Sequence, residues 1–245
     1  MNDRLRGLVA PAIATVVGAG LLVGLGQWQL QRLAWKEGLI AAVTTRVHAA
    51  PVDAPPESEW SRLNPADYEY RRVRLAGVFD YDKQVLVFRP LAEPRGRYGG
   101  PGYLAMAPLR LADGATVLVN RGFVPDAKKG ATTRPVGGET TVLGLMRASE
   151  TRNWFTPADD PAAGQWYTRD IAAIARADGL TRVAPFFVDA DAGPDPAALP
   201  EGGETILDFP NNHFSYALTW FGMAAALVGV FIAYSVGRLR EGERK

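Results

Sequence analysis

The sequence predicts a membrane protein in which two transmembrane α-helices flank an extracytoplasmic α+β domain, built on an antiparallel β-sheet with a barrel-like core. Residues 8–26 and 214–236 contain no charged side chain, and each run has about the 20 residues that a bilayer-spanning helix needs. Between them, short alternating runs separated by turn signals predict strands. The predicted boundaries are a cytoplasmic N-terminus (1–7), helix (8–27), β-rich domain (28–210), helix (211–236) and cytoplasmic C-terminus (237–245).

The first apolar run is predicted to be an uncleaved signal anchor. Pro11 lies in its first turn, where the missing N–H costs little. A cleaved signal peptide is the rival interpretation, but no A-x-A-like site closes the run. The helix is predicted to continue beyond the bilayer through residues 27–40, where Trp28, Arg32 and Trp35 share one face.

The flanking charges predict the orientation. Arg4 and Arg6 precede the first run, and four basic residues follow the second, whereas residues 201–212 contain no Lys or Arg. Because positive flanks stay in the cytoplasm, both termini are predicted to be cytoplasmic and the domain periplasmic. Since nothing at the N-terminus resembles an organelle transit peptide, the predicted location is a bacterial inner membrane, in a multi-pass arrangement.

Composition narrows the function classes. The chain has no cysteine, which excludes disulfides, thiolate metal sites, Fe–S clusters and covalent haem attachment through C-x-x-C-H. The net charge is +1, so electrostatics give no support for a nucleic-acid partner. The lipid bilayer is a predicted partner of the chain, through the two apolar runs.

The domain is predicted from its turn signals and β-rich runs. Asp113-Gly114 marks the clearest hairpin. Residues 165–180 predict an amphipathic helix with Gly179 as its C-cap, whereas residues 51–67 predict a linker or surface loop. The predicted strands are 70–77, 85–89, 103–111, 116–119, 140–145 and 185–189.

A sharp turn is predicted after the hairpin, at Asn120-Arg121-Gly122, because glycine permits a tight backbone turn. Two roles are open to Arg121: binding a carboxylate ligand or, more commonly for a lone arginine in a turn, binding the protein's own carbonyl groups.

No catalytic constellation supports an enzyme. The sequence lacks G-x-S-x-G, H-E-x-x-H and G-x-x-x-x-G-K-[ST] motifs. Asp159-Asp160 and the Asp189/Asp191 pair are interpreted as turn residues. The glycine-rich residues 95–102 have no predicted helix after them, which disfavours a phosphate site.

The start of the second helix is the candidate binding site. His213, Tyr216 and Trp220 fall on one helical face, and Asn211 with Asn212 are candidate caps for the first turn. This face could hold a metal centre through the imidazole. The alternative is an ordinary interfacial belt of aromatic residues without a ligand. His48, the second histidine, is predicted to lie in a loop and receives no role.

The order of several motifs resembles the Surfeit-locus-protein-one family, a family of cytochrome c oxidase assembly factors. The resemblance runs from the first apolar segment to the second and covers most of the chain. It rests on Gly26-Gln27-Trp28-Gln29, Gly77-Val78-Phe79-Asp80, Asn120-Arg121-Gly122, Trp166-Tyr167 with Arg169-Asp170, and Asn212-His213-Phe214-Ser215-Tyr216.

This resemblance implies that the chain binds haem a without a covalent bond and aids its insertion into oxidase subunit I. It implies His213 as the axial ligand of the haem iron. We expect Tyr216 and Trp220 to line the site. We expect Trp28 and Arg32 to close the site, with Arg32 pairing with a propionate. The implied partners are subunit I and, as a further candidate, haem a synthase. A haem-independent scaffold for oxidase subunits is the alternative.

Overall fold

The computed structural model describes residues 3–134, 138–207 and 209–241, which form two compact units. One unit, here called the helix pair, contains the described residues up to Ala42 and from Phe209 onward. The other, here called the β domain, is Val43–Leu207. The helices are α1 (Asp3–His48), α2 (Pro65–Tyr68), α3 (Ile171–Ala177) and α4 (His213–Glu241). The strands are β1 (Val52–Asp53), β2 (Arg72–Phe79), β3 (Val85–Phe88), β4 (Gly102–Leu111), β5 (Thr116–Pro125), β6 (Thr140–Ala148) and β7 (Val183–Ala190).

Helices α1 and α4 are long and apolar enough to cross a membrane. Helix α1 has 46 residues, so at 1.5 Å per residue it extends for about 70 Å and continues well past a bilayer core, as predicted. The prediction of a loop around His48 is wrong, because His48 is the last residue of α1. Its ring Nδ1 lies 2.8 Å from the carbonyl oxygen of Thr44, one turn earlier in the same helix.

The predicted sheet is present, and five of its seven strands close into a ring. The hydrogen-bonded order is β1-β2-β6-β7-β5-β4-β3, and an additional pairing of β2 with β4 completes a barrel of β2, β6, β7, β5 and β4. Most pairs are antiparallel, as the sequence predicts, but β5 pairs with β7 and β1 with β2 in parallel. Strand β3 lies outside the ring, at the free edge next to β4.

Two apolar clusters stabilise the barrel from its two faces. The first contains Val73, Leu109, Val119 and Phe186, and rings of Trp60 and Tyr68 pack against Phe186 at 6.3 and 6.1 Å between centroids. The predicted loop at residues 51–67 is therefore an ordered segment, and its Trp60 side chain packs against the core. The second cluster lies under α3 and includes Val87, Met106, Leu118, Trp166, Ile174 and Phe187.

The turn predicted at Asn120-Arg121-Gly122 is wrong, because β5 continues to Pro125. Met106 pairs with Asn120 and Leu104 with Phe123, so β5 contains one extra residue at this point and forms a β-bulge. Gly122 has φ +132°, and a side chain there would meet the backbone of Glu201. Gly122 therefore allows the Glu201 backbone to lie close to β5, and it does so within a strand.

Helix α3 is shorter than predicted because its first turn is capped at Asp170. The Asp170 carboxylate accepts from the N–H of Ala173 at 3.1 Å, which fixes the helix start. The preceding residues instead pair with β3, where the N–H of Phe88 donates to the carbonyl of Trp166 at 2.8 Å. The helix ends one residue earlier than predicted, with Asp178 as its C-cap, and Gly179 follows in the left-handed conformation at φ +61°.

Candidate functional site

The two long helices pack against each other in antiparallel directions, through small residues of α1. A Cβ added to Gly26 would lie 2.6 Å from the Phe221 ring, and one added to Gly18 would lie 2.9 Å from Leu227. Along this contact between α1 and α4, here called the helix seam, residues nearer the start of α4 lie opposite residues farther along α1. The glycines therefore allow the close helix approach that small residues give in membranes.

His213 is the first residue of α4 and contacts the neighbouring helix. Its ring Nδ1 lies 2.7 Å from Oε1 of Gln29 on α1. Because an amide oxygen can only accept, this bond places the imidazole proton on Nδ1. Among the residues that the structure describes, none hydrogen-bonds Nε2. A neutral imidazole held in this way presents a free Nε2 lone pair, which is the form that binds a metal.

Of the two predicted caps at the start of α4, the Asn211 side chain contacts the first turn, whereas Asn212 contributes a backbone carbonyl. Oδ1 of Asn211 accepts from the N–H of His213 at 3.5 Å, and the carbonyl of Asn212 accepts from the N–H of Tyr216 at 3.2 Å. The first of these bonds is long and weak. Both bonds lie in the first turn of α4, the turn that carries the imidazole.

The other predicted site residues divide between the seam and its exposed flanks. Trp220 is half-buried, whereas Tyr216 is 56% exposed on the adjoining face of α4. On α1, Trp28 is 51% exposed. The Arg32 guanidinium lies 4.6 Å from the centroid of the Trp35 ring, which is the shared face predicted for these two residues.

Gln29 is the site residue that the sequence-based prediction missed. A signal for it exists: Leu22, Gly26, Gln29 and Leu33 follow the three-and-four spacing of a helix contact stripe. Gln29 is the polar member of that stripe, and a polar side chain on a packed helix face requires a partner.

The β domain contains a second polar centre, here called the Asp189 cluster. Oδ1 of Asp189 accepts from Asn120 at 2.7 Å and Arg169 at 3.0 Å, and Oδ2 accepts from Arg147 at 2.8 Å and Thr205 at 3.1 Å. The interpretation of Asp189 as a turn residue is therefore wrong. It is a buried ion-pair centre in β7, joining three strands and the segment that leads toward α4.

Glu150 extends this cluster to the surface. Arg169 donates to it at 3.0 and 2.5 Å, and Arg89 at 3.0 and 2.8 Å. Burial raises the pKa of Glu150, but the hydrogen bond and charge of Arg169, with the charge of Arg89, outweigh burial and hold the pKa at about 2. The pKa of Arg147 is raised above its ordinary value: burial lowers it, but Asp189 and Glu69 outweigh that effect.

The glycine-rich loop binds carboxylates of the same chain. Successive backbone N–H groups of Arg95 and Gly96 donate to Glu204 at 2.9 and 2.5 Å, and those of Arg97 and Tyr98 donate to Glu201 at 2.7 and 3.0 Å. Strand β4 follows this loop. Through these four bonds, the glycine-rich loop holds the segment between β7 and α4 against the barrel.

Arg121 binds groups of the protein, as the commoner of its two alternatives predicted. It donates to Oε1 of Gln84 at 2.7 Å and to the carbonyl of Thr133 at 2.8 Å, and it lies 4.6 Å from the centroid of the Tyr81 ring. Burial lowers its pKa. The Asp159-Asp160 pair also has the predicted turn role: Asp159 accepts from the N–H of Tyr167 and Asp160 from that of Ala163.

The fold and the site define a class: a small β-barrel domain bounded by two candidate membrane helices, with one oriented histidine between those helices. In the described ranges 3–134, 138–207 and 209–241, no cluster of three or more His, Asp or Glu residues could hold a metal ion.

The chain is similar to a known family along most of its length. The model of the SURF1 family matches residues 16–225. Surfeit locus protein 1 of Homo sapiens is 37% identical over 217 residues, which cover 83% of this chain and 70% of that protein. The protein of the same name from Takifugu rubripes is 35% identical over 234 residues, covering 89% of this chain and 93% of that protein. A SURF1-like protein of Drosophila melanogaster is 38% identical over 219 residues, covering 83% and 70%.

The chain belongs to the SURF1 family, known as a family of cytochrome c oxidase assembly factors. This confirms the family resemblance seen in the sequence motifs. The matched region includes both halves of the His213–Gln29 contact.

Proposed function

We propose that this assembly factor holds haem a at the membrane boundary, through Nε2 of His213, and aids its insertion into oxidase subunit I. The observation that carries the proposal is the 2.7 Å contact between His213 Nδ1 and Gln29, which leaves the opposite ring nitrogen available. When bound, haem would supply an iron centre, and His213 would hold it through Nε2.

The surroundings of His213 suit a planar, mostly apolar ligand with acidic groups. Trp220 provides half-buried aromatic surface on α4, and Tyr216 provides exposed aromatic surface on the adjoining face. Trp28 and Arg32 lie on exposed faces of α1, and we propose that they close over the ligand and that Arg32 pairs with a propionate. A lone axial ligand also favours release, because fewer bonds must break before transfer.

The test compares the two histidines of the chain. His213→Ala and His48→Ala are each co-expressed with haem a synthesis and purified in detergent, and their visible absorption spectra are recorded. We expect His213→Ala to lose the haem spectrum. His48 is exposed, so His48→Ala should keep the spectrum. An undiminished spectrum in His213→Ala would refute the proposal.

A haem-independent scaffold is the second candidate. Trp154 and Phe155 are each 91% exposed at a loop tip of the β domain, and Asn153 Oδ1 accepts from the N–H groups of Phe155 and Thr156 at 2.9 and 3.0 Å. Exposed aromatic pairs of this kind mark interaction sites. A scaffold predicts that subunit I co-purifies equally with and without haem a, and that Trp154→Ser with Phe155→Ser abolishes co-purification. The haem-delivery proposal predicts weaker co-purification after haem depletion.

The proposed arrangement is a bacterial inner membrane with both termini in the cytoplasm and the β domain in the periplasm. Because the chain has no cysteine, single reporters are unambiguous. Ala112→Cys, in the exposed hairpin turn, should react with a membrane-impermeant maleimide once the outer membrane is permeabilised. Gly237→Cys should react only after the inner membrane is also opened. The reverse pattern would invert the topology.

A further inference from the structure

An aromatic cleft lies at the free edge of the β domain, about 300 Å³ in volume. Its walls include Phe88 at the end of β3, Tyr103 at the start of β4, and Trp166 with Tyr167 from the segment before α3. Phe88 and Tyr103 are directly opposite in the strand register, with ring centroids 5.6 Å apart at 71°. Phe88 also packs edge-on against Tyr167, at 6.3 Å. The cleft therefore presents several ring faces and edges to one small volume.

The cleft walls are held by hydrogen bonds that do not depend on a ligand. The N–H of Phe88 donates to the carbonyl of Trp166 at 2.8 Å, and the N–H of Tyr167 donates to the Asp159 carboxylate at 2.5 Å. The Trp166 side chain is buried in the cluster under α3. A preformed wall lowers the entropic cost of binding a ligand.

One cation completes the cleft. Among the described residues that line it, Lys129 alone is charged, and its Nζ lies 4.3 Å from the centroid of the Tyr103 ring. No described carboxylate forms a salt bridge with Lys129. The adjacent Lys128 differs: its Nζ donates to the hydroxyl of Tyr98 at 3.0 Å, and it does not line the cleft.

We propose that this cleft binds a small planar aromatic carboxylate, with its ring between Phe88, Tyr103 and Tyr167 and its carboxylate on Lys129. The ring is recognised by edge-to-face packing, and the ammonium supplies the complementary charge. The volume is at the lower end of the range for ligand pockets, which suits one or two fused rings. This site lies within the β domain, and the proposal does not depend on haem binding at His213.

The experiment titrates full-length protein in nanodiscs with 1-naphthoate and with its neutral analogue 1-naphthalenemethanol, using empty nanodiscs as the blank. Saturation-transfer NMR reports ring contact, and the dissociation constant is taken from its concentration dependence. We expect Lys129→Gln to weaken naphthoate binding about threefold, the scale of an exposed ion pair, and to leave the neutral analogue unchanged. Tyr167→Ala should weaken both probes about tenfold, because it removes a wall.

Lys128→Gln is the matched control, since it changes the net charge equally at the neighbouring position. It should leave the affinities of both probes unchanged. Equal naphthoate affinity in the unmodified chain and Lys129→Gln would overturn the proposal. So would a signal no greater than that of empty nanodiscs, or an equal loss in both lysine variants, which would indicate a diffuse charge effect.

Discussion

The Asp189 cluster and the His213–Gln29 pair are both polar sites in largely apolar surroundings, but they differ in how completely their hydrogen-bonding groups are used. Four protein donors occupy the two oxygens of Asp189. His213 uses one ring nitrogen on Gln29, and the part of the chain that the structure describes offers no partner to the other. A saturated group stabilises the fold, whereas an oriented and unsaturated one is available to a ligand.

The largest expected effect comes from breaking the saturated site. In Asp189→Ala, the guanidinium groups of Arg147 and Arg169 lose their buried counter-charge, so we expect the free energy of unfolding of the β domain to fall by about 3–5 kcal/mol. Thermal denaturation followed by tryptophan fluorescence measures the loss. Asp67→Ala, at an exposed position, is the control and should change stability by less than about 0.5 kcal/mol. A small loss in Asp189→Ala would mean that the cluster is not a stability centre.

Acid should weaken the same cluster through Glu150. Its pKa in the folded state is about 2, below its ordinary value of 4.5, so its stabilising effect is complete above about pH 5 and is lost as pH falls toward 2. This carboxylate alone contributes up to about 3 kcal/mol across that window. Glu150→Gln should be less stable than the unmodified chain at pH 7, and the difference should shrink toward pH 2. Glu93→Gln, at an exposed position, should show a constant difference; a constant difference in Glu150→Gln would contradict the assigned ion pairs.

The two units also differ in what their sequences reveal. Membrane helices are specified by local composition, so α1, α4 and the start of α4 at His213 could be predicted from the sequence. The alternating runs likewise located the strands. The extra residue at Arg121-Gly122 could not be distinguished from a turn, because a bulge depends on the register of the partner strand β4.

Long-range pairing explains the remaining misses. Asp189 and Arg147 are 42 positions apart, and His213 and Gln29 are 184 apart, so no local pattern connects them. Asp189 looked like a turn residue because Asp191, Gly193 and Pro194 follow it closely. The residue types at the candidate site could be predicted, but the partner that orients His213 required the helix pairing.

The packing of α1 against α4 at the helix seam gives a further test, with a smaller expected effect on stability. A Cβ at Gly26 would lie 2.6 Å from Phe221, whereas one at Gly24 would meet nothing within 4 Å. We expect Gly26→Ala to destabilise the helix pair by about 1 kcal/mol through overpacking, and Gly24→Ala to be neutral or stabilising by about 0.5–1 kcal/mol. Thermal denaturation in detergent compares them. Adding Phe221→Leu should restore the stability of Gly26→Ala, and equal behaviour of the two glycine variants would refute the packed seam.

The last test, with an expected effect similar in size to that of Gly26→Ala, concerns the atom that orients the imidazole. Gln29→Leu removes the acceptor for the Nδ1 proton, so the ring is free to rotate and to exchange tautomers, and we expect haem affinity to fall about tenfold. Titration of purified protein with haem, followed by visible absorption, measures the affinity. Gln29→Glu keeps an acceptor at the same place and should retain binding, and Gln31→Leu, on the exposed side of α1, should not change it. If Gln29→Leu binds haem as tightly as the unmodified chain while His213→Ala does not, the imidazole binds iron without help from α1, and the contact with Gln29 serves helix packing alone.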